Sequence, residues 1–286
     1  PARVAGSGPG GRVLEQDLRA LYHSSARVSS LARRLMDSGA EPRGAGSGIG
    51  GMIRGADLGP APAPISSIRE KVARRMRESL ASTAQYTLHT SADAAGLLAV
   101  RARVKASRGA LPDININDLV VFCVVRALRE APALNAEFIG GRIYRHAAVN
   151  IGFACDTGRG LVVPVVRNCQ SLTAAELALR MKELSAQAVA GSISADDLTG
   201  ATFTVSNLGS LGIESFTPIL NPPQVALLGV NTIQLKPVRR DGQVVFIDSI
   251  GLSLTCDHQV IDGAPGARFL RVLRERIENV ERECTI

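Results

Sequence analysis

Residues 255–263, which read TCDHQVIDG, carry the side chains best suited to chemistry in this chain. An alternating apolar run at 247–254 predicts a strand before them, and residues 264–280 predict a helix after them. His258 is therefore expected at a strand end and Asp262 at a helix start. A histidine has an ordinary pKa of about 6.5, so it can act as a general base near neutral pH. The alternative is that Asp262 only caps the helix and His258 is an ordinary loop residue.

Cys256 offers a second chemistry at the same place. It lies two residues from His258, so the two side chains can face the same side of the strand. A nucleophilic cysteine needs an exposed, polarised setting, whereas a cysteine in a strand is far more often buried. The sequence therefore favours a buried thiol over a nucleophile.

The composition narrows the class of protein. Of the 286 residues, 45% are hydrophobic, and the net charge is +7. Basic and acidic residues are interspersed, which disfavours nucleic acid and favours an acidic partner or a phosphate-bearing ligand. No apolar run is long enough to predict a membrane span. We also expect no metal site. The five cysteines have no CxxC spacing, which favours a reducing compartment, either the bacterial cytoplasm or the mitochondrial matrix.

The first third of the chain contains an internal repeat. Residues 4–18 read VAGSGPGGRVLEQDL, and residues 44–58 read GAGSGIGGMIRGADL. A short helix predicted at 28–36 precedes the second copy, and we expect the chain to begin inside the first copy. Each copy matches GxGxxG, but a dinucleotide site needs a preceding strand, a long following helix and an acid about 20 residues later. None of these is predicted, so we interpret each match as a turn in a small helical domain.

This repeat resembles the peripheral subunit-binding domain of 2-oxo acid dehydrogenase acyltransferases. The resemblance assigns residues 1–20 to the C-terminal half of one such domain and residues 26–58 to a second. It implies that the all-α domains bind E1 or E3 dehydrogenase subunits through basic residues, here Arg12, Arg33 and Arg34. Arg12 follows the glycines of the first copy, and Met52 stands at the matching position of the second copy. The alternative for Arg33 and Arg34 is that they lie on a solvated helix face without a partner-binding role.

The remaining residues predict an Ala/Pro linker at 59–65 and one larger domain at 66–286. Its helices and strands are mixed without strict βαβ alternation, which predicts an α/β or α+β fold with a mixed sheet. Helices are expected at 66–84, 94–107, 119–130, 173–190 and 263–281, and Asn117 or Asp118 is the expected cap of the helix at 119–130. Strands are expected at 86–93, 149–155, 161–167, 202–205, 224–233 and 244–254, with a hairpin at 136–144.

Several motifs of this domain follow a known order. They read ISSIR at 65–69, RRM at 74–76, GLVVPVVRN at 160–168, TFTVSNLG at 202–209, NPPQ at 221–224 and DHQVIDG at 257–263. Together they resemble the catalytic domain of a dihydrolipoamide acyltransferase, the E2 component of 2-oxo acid dehydrogenase complexes, over residues 64–282. The resemblance implies a chloramphenicol-acetyltransferase-like mixed-sheet sandwich that forms homotrimers with active sites between subunits.

The resemblance also implies the reaction and its residues. The enzyme would move an acyl group from a dihydrolipoyl thioester to coenzyme A, with the lipoyl group on a domain outside this chain. His258 matches the base that deprotonates the thiol, and Ser206 matches the hydroxyl that stabilises the oxyanion. Asp262 matches the motif's aspartate, with an orienting and capping role. Arg69 is a weaker match for a partner of Asp262, and a surface arginine is its alternative.

Two departures and three rival functions remain at this stage. Gln259 stands where the family usually has arginine, and the polar tail at 281–286 differs from the Leu-rich end that joins trimers into cubic cores. A trimer is therefore better supported than a cage. The rivals are a non-catalytic core or tethering protein of the same complex, a condensation enzyme with a His-His-x-x-x-Asp-Gly site, and a Cys256 nucleophile. Asp257 precedes His258 where the condensation enzymes have histidine.

Overall fold

The computed structural model describes residues 5–24, 26–60, 65–158 and 160–284. The chain forms two compact units, Pro1–Ser66 and Ser67–Ile286. The division falls one residue after the end of the predicted linker, of which positions 61–64 lie outside the described residues. The assignment of the first unit to subunit-binding domains stays a prediction.

The first unit is small and helical. The part of it that the structure describes contains α1 (Glu15–Ser24), α2 (Ser30–Asp37) and three single 3₁₀ turns at Pro9–Gly11, Ile49–Gly51 and Gly55–Asp57. Helix α1 continues past the boundary predicted at residue 20. Four buried side chains form the core around α2: Ala32, Ala40, Ile53 and Leu58.

The two glycine-rich segments of the repeat fold alike. In each, the aspartate of the Asp-Leu pair closes the loop: Asp17 accepts the N–H of Ser7, and Asp57 accepts the N–H of Ser47, each at 2.9 Å. The pKa of both carboxyls is lowered, mainly by the hydrogen bond from the serine hydroxyl and to a smaller extent by the hydrogen bonds from backbone N–H groups. Among the described residues no strand precedes either loop. The glycines therefore shape a closed turn and do not match the setting of a dinucleotide site.

The second unit contains six helices among its described residues. They are α3 (Ser67–Ser82), α4 (Ala95–Ala106), α5 (Ile116–Glu130), α6 (Ala174–Ala190), α7 (Gly263–Glu278) and α8 (Val280–Glu283). Helix α5 is buried on nearly all sides, as its apolar run predicts. It packs against α6 and α7, and α7 packs against the sheet.

Ten strands accompany these helices within the described ranges. They are β1 (Gln85–Asp93), β2 (Ala136–Ile139), β3 (Arg142–Arg145), β4 (Ile151–Phe153), β5 (Cys155–Asp156), β6 (Leu161–Val162), β7 (Val165–Val166), β8 (Phe203–Asn207), β9 (Ala226–Arg240) and β10 (Gln243–Asp257). Six of them form one sheet in the order β1-β10-β9-β8-β4-β7. The β4–β8 and β8–β9 pairs are parallel, and the other pairs are antiparallel.

The two faces of this sheet differ in character. Along β10, Leu252 and Leu254 point into the apolar core that the helices cover. Ser253 and Thr255 alternate with them and therefore face the opposite side of the sheet, although both are fully buried. The opposite face thus carries small polar groups in its central strands, and this is the face to which Ser206 belongs, as described below.

The predicted fold class is confirmed: the second unit is a mixed sheet packed against helices, and a small helical unit precedes it. Several local predictions were wrong. The single strand predicted at 161–167 is two short strands separated at Pro164, with β6 in a two-stranded sheet with β5, and β7 at the edge of the main sheet. The strand predicted at 149–155 is likewise divided between β4 and β5.

Asn115 caps α5, instead of the predicted Asn117 or Asp118, and Asp118 completes a capping box. Strand β9 continues to Arg240, well past its predicted end at 233, whereas β10 begins at Gln243, one residue before its predicted start. The two strands meet at Asp241-Gly242, where both residues have positive φ.

Candidate active site

His258 lies where the sequence placed it, directly after the last residue of β10. Its N–H donates to the carbonyl oxygen of Ala84 at 2.8 Å, which ties the turn to the residue before β1. Its side chain is 53% exposed, so the imidazole can reach a group outside the protomer.

The capping role predicted for Asp262 is wrong, because Asp262 occupies the N-cap position of α7 but its side chain makes no capping hydrogen bond. Its Oδ1 lies 3.7 Å from Nδ1 of His258. That distance is too long for a hydrogen bond and suits an electrostatic contact. A carboxylate on the Nδ1 side favours the tautomer that carries its proton there, which leaves the Nε2 lone pair available as a base.

Tyr86 on β1 is a site residue that the sequence did not indicate. Its ring lies 4.8 Å from the His258 ring, centroid to centroid, and its hydroxyl donates to the carbonyl oxygen of Asp262 at 2.9 Å. Burial raises the pKa of Tyr86, so the phenol stays protonated and keeps donating. Tyr86 therefore connects the strand end that carries His258 with the helix start that carries Asp262.

Cys256 is fully buried, and burial raises the pKa of its thiol to about 12. A thiol with that pKa is protonated at neutral pH and is a poor nucleophile. The structure therefore favours the buried core cysteine over the nucleophile at this position.

Ser206 lies on β8, half-buried, and no hydrogen bond of its hydroxyl is found among the described residues. Ser206 pairs with Gly229 on β9, and Gly229 pairs with Ser253 on β10. Ser253 precedes His258 by five residues. At ~3.3 Å per residue and ~4.8 Å per strand, Ser206 and His258 are roughly 19 Å apart within one chain. One chain does not bring these two predicted residues together.

The predicted basic residues all lie on the surface. Arg69 is exposed in the first turn of α3, and the ion pair that Asp262 forms among the described residues is with His258. The Arg69–Asp262 pair stays a prediction. Arg12 is exposed after the first glycine loop, and Arg33 and Arg34 are exposed on α2.

Two further arginines flank the second glycine loop, where Met52 replaces the expected arginine. Both guanidinium groups lie close to the loop glycines. The position that a Cβ atom would take at Gly50 is 3.2 Å from Arg27 Nη1, and the corresponding position at Gly48 is 3.3 Å from Arg54 Nε. The sequence reasoning missed both, although the signal was present as arginines on either side of the repeat. The second copy is therefore basic around its loop despite Met52.

Other kinds of site find no support among the described residues. No group of three or more His, Cys, Asp or Glu side chains in that part of the chain could hold a metal ion. None of the helices within the described ranges has the length and hydropathy needed to cross a bilayer.

Comparison with known proteins gives a consistent match. The family described as 2-oxoacid dehydrogenases acyltransferase (catalytic domain) matches residues 60–284. The dihydrolipoyllysine-residue acetyltransferase component of the acetoin cleaving system of Bacillus subtilis is 33% identical over 278 residues, which cover 96% of this chain and 64% of that protein. The chain thus spans less than two thirds of the length of this relative.

Two solved structures share the architecture of the larger unit. A probable dihydrolipoamide acetyltransferase from Listeria monocytogenes superimposes with a TM-score of 0.75 at 31% identity, covering 80% of this chain and 98% of that one. The cubic core of a pyruvate dehydrogenase multienzyme complex superimposes with a TM-score of 0.73 at 34% identity, covering 77% of this chain and 92% of that one.

Proposed function

This chain belongs to the 2-oxoacid dehydrogenase acyltransferase family, and from that premise we propose that it moves an acyl group from a dihydrolipoyl thioester to coenzyme A. One observation carries the proposal. An exposed imidazole stands directly after the end of β10, with a carboxylate 3.7 Å from its Nδ1. The similar B. subtilis protein is named as an acetyltransferase, and a similar Azotobacter vinelandii protein is named as a succinyltransferase.

The proposed reaction assigns one task to each residue. His258 Nε2 accepts the proton of the coenzyme A thiol, and the thiolate attacks the thioester carbonyl. The resulting oxyanion accepts a hydrogen bond from the Ser206 hydroxyl. The C–S bond to the dihydrolipoyl sulfur then breaks, that sulfur takes the proton from the imidazolium, and acyl-coenzyme A leaves. Asp262 favours the required tautomer and the transient imidazolium.

A pocket that uses both residues requires more than one copy of the chain. Because Ser206 and His258 are separated by roughly 19 Å within a protomer, we propose that one copy supplies the imidazole and a neighbour supplies the hydroxyl. A homotrimer satisfies this arrangement, since each copy can lend one residue to each neighbour. The likeness to a cubic core supports assembly into a larger particle, which is also a proposal.

The lipoyl group is proposed to arrive from a domain outside this chain, and the first unit is proposed to hold E1 or E3 subunits. The exposed Arg33 and Arg34 on α2, with Arg27 and Arg54 near the second loop, support a basic docking surface for an acidic partner. We also propose a bacterial cytoplasmic location, which the five free cysteines support.

Replacement of the α2 arginines tests the docking surface. We expect Arg33→Ala/Arg34→Ala to weaken binding of an acidic dehydrogenase subunit, and the remaining binding to depend less on salt, because two exposed charges are removed. Titration of purified E1 and E3 at low and high salt measures both effects. Arg142→Ala/Arg145→Ala removes the same charge from exposed positions on β3 and should leave binding unchanged. Equal affinity of both double variants would exclude α2 as the docking site.

The acyltransferase proposal itself is tested by supplying coenzyme A with acetyl-, succinyl- and branched acyl-dihydrolipoamide. We expect at least one to give acyl-coenzyme A. The second candidate is a non-catalytic core protein of the same complex, and the cubic-core likeness favours it equally. Retention of His258 and Asp262 argues for the enzyme. An intact oligomer that transfers none of these acyl groups would establish the core protein instead.

A further inference from the structure

The turn that carries His258 contains a buried carboxylate that the proposed reaction does not use. Asp257 is 2% exposed, although the residue that follows it is largely open to solvent. Its Oδ1 accepts the N–H of Ala84 at 3.1 Å and the N–H of Gln259 at 3.0 Å. A buried charge is strongly destabilising unless donors surround it, so these bonds account for its position.

The Gln259 side chain completes the arrangement. Its Nε2 lies 3.1 and 3.2 Å from the two carboxylate oxygens of Asp257 and 2.9 Å from the carbonyl oxygen of Ser82. An exposed amide thus connects the turn to the end of α3. No ion pair of Asp257 is found in the described part of the chain. The hydrogen bonds to the Asp257 carboxylate therefore come from neutral donors. One of these donors is Gln259, which stands where the resemblance predicts an arginine.

These bonds fix the backbone on both sides of His258. The residue before it is held through its carboxylate, His258 itself donates its N–H to Ala84, and the residue after it is held by its N–H and side chain. The imidazole has weaker restraints, a carboxylate at 3.7 Å and a ring at 4.8 Å. The backbone of the turn therefore sets the point and the direction from which the side chain of His258 leaves the chain.

We propose that Asp257, assisted by Gln259, is a positioning residue that holds the His258 turn in its reactive geometry. The inference rests on the proposed acyl transfer, in which Nε2 must meet a thiol supplied from outside the turn. A misplacement of about 1 Å in such a pair lowers the rate by ~100-fold. Asp257 touches neither thiol nor thioester, so its effect passes through His258.

Steady-state kinetics of Asp257→Asn and Gln259→Ala in the assembled protein give the first readout. We expect Asp257→Asn to lower kcat by roughly 10- to 100-fold with little change in KM. Gln259→Ala keeps the hydrogen bond from the backbone N–H of residue 259 to Asp257, so its kcat should fall less than that of Asp257→Asn. Both side chains act through one turn, so their effects on the activation free energy should not be independent. The increase in the double variant should not exceed the sum of the two single increases, and it should lie closer to that of Asp257→Asn alone. Gln259→Arg keeps donors beside Asp257 and should retain near-normal activity.

Hydrogen exchange gives a second readout that does not depend on turnover. In Asp257→Asn we expect faster exchange at the amides of Ala84, His258 and Gln259, with the core of α5 unchanged. Asp118→Asn is the matched control, since Asp118 is also buried and accepts a backbone N–H, but at the start of α5. It should leave exchange at the His258 turn unchanged.

The two readouts separate this inference from the acyltransferase proposal. A wild-type protein without transferase activity would refute the proposed function, while exchange would still test whether Asp257 holds the turn. Wild-type kcat in Asp257→Asn, or unchanged exchange at the turn, would overturn the positioning role. If Asp257→Asn does not fold, Gln259→Ala decides, because Gln259 is exposed and its loss should still loosen the turn.

Discussion

His258→Ala should lower acyl transfer to coenzyme A by roughly 100- to 10,000-fold at pH 7, because a positioned general base contributes about that much. An ordinary thiol has a pKa of about 8.5, so only a few per cent is thiolate at neutral pH without a base. The side chain is 53% exposed and lies in no core cluster, so the fold and the assembly should persist.

The pH dependence of the variant sharpens this test. Without an imidazole the rate should follow the thiolate fraction of coenzyme A, rising about tenfold per pH unit until the pH approaches the thiol's own pKa. The rate of the wild-type enzyme should rise far less over the same pH range. Initial rates from pH 6 to pH 9, together with the particle mass of the variant, measure both expectations.

A matched histidine provides the control. His146 also faces a carboxylate, with Nε2 at 3.1 Å from Glu137 Oε2, but it follows the β2–β3 hairpin. His146→Ala should keep wild-type kcat and KM. If His258→Ala also retained the wild-type rate, the base would have to be another group, and the proposed reaction would lose its first step.

The sequence predicted the His258–Asp262 pair because the two residues are close in the chain. A strand pattern ending before 258 and a helix pattern starting after 262 leave only a short turn between them. Tyr86 could not be found in this way. It lies 176 residues before Asp262, and it reaches the site through the β1–β10 register that pairs Tyr86 with Cys256. Register depends on long-range packing, which one sequence does not reveal.

Other differences have local causes. Asn115, Asn117 and Asp118 are all good caps, and the capping-box spacing from Asn115 to Asp118 decides between them. The long β9–β10 hairpin carried the Asp241-Gly242 signal between two strands, but residues 234–240 read QLKPVRR, in which a proline and three basic residues obscure the strand pattern of β9. The distance between Ser206 and His258 follows from the strand order β8-β9-β10, which the spacing of motifs does not contain.

Ser206→Ala is the second substitution with a large expected effect. Its hydroxyl has no hydrogen bond to another described residue, so it is free to donate to a ligand, and its loss leaves no buried partner unpaired. Removing one donor to an oxyanion typically lowers kcat by roughly 100- to 1000-fold. The bond strengthens as negative charge develops on the carbonyl oxygen, so kcat should fall much more than KM rises.

Ser210→Ala is the matched control, since it removes an exposed hydroxyl from the turn that follows β8. It should leave kcat and KM unchanged. A mixture of inactive His258→Ala and inactive Ser206→Ala chains, assembled together, gives the strongest form of the experiment. If each site takes its imidazole from one copy and its hydroxyl from another, some sites in mixed particles contain both and activity returns. A Ser206→Ala variant that changes KM alone, or mixed particles that stay inactive, would contradict an oxyanion donor supplied by the neighbouring copy.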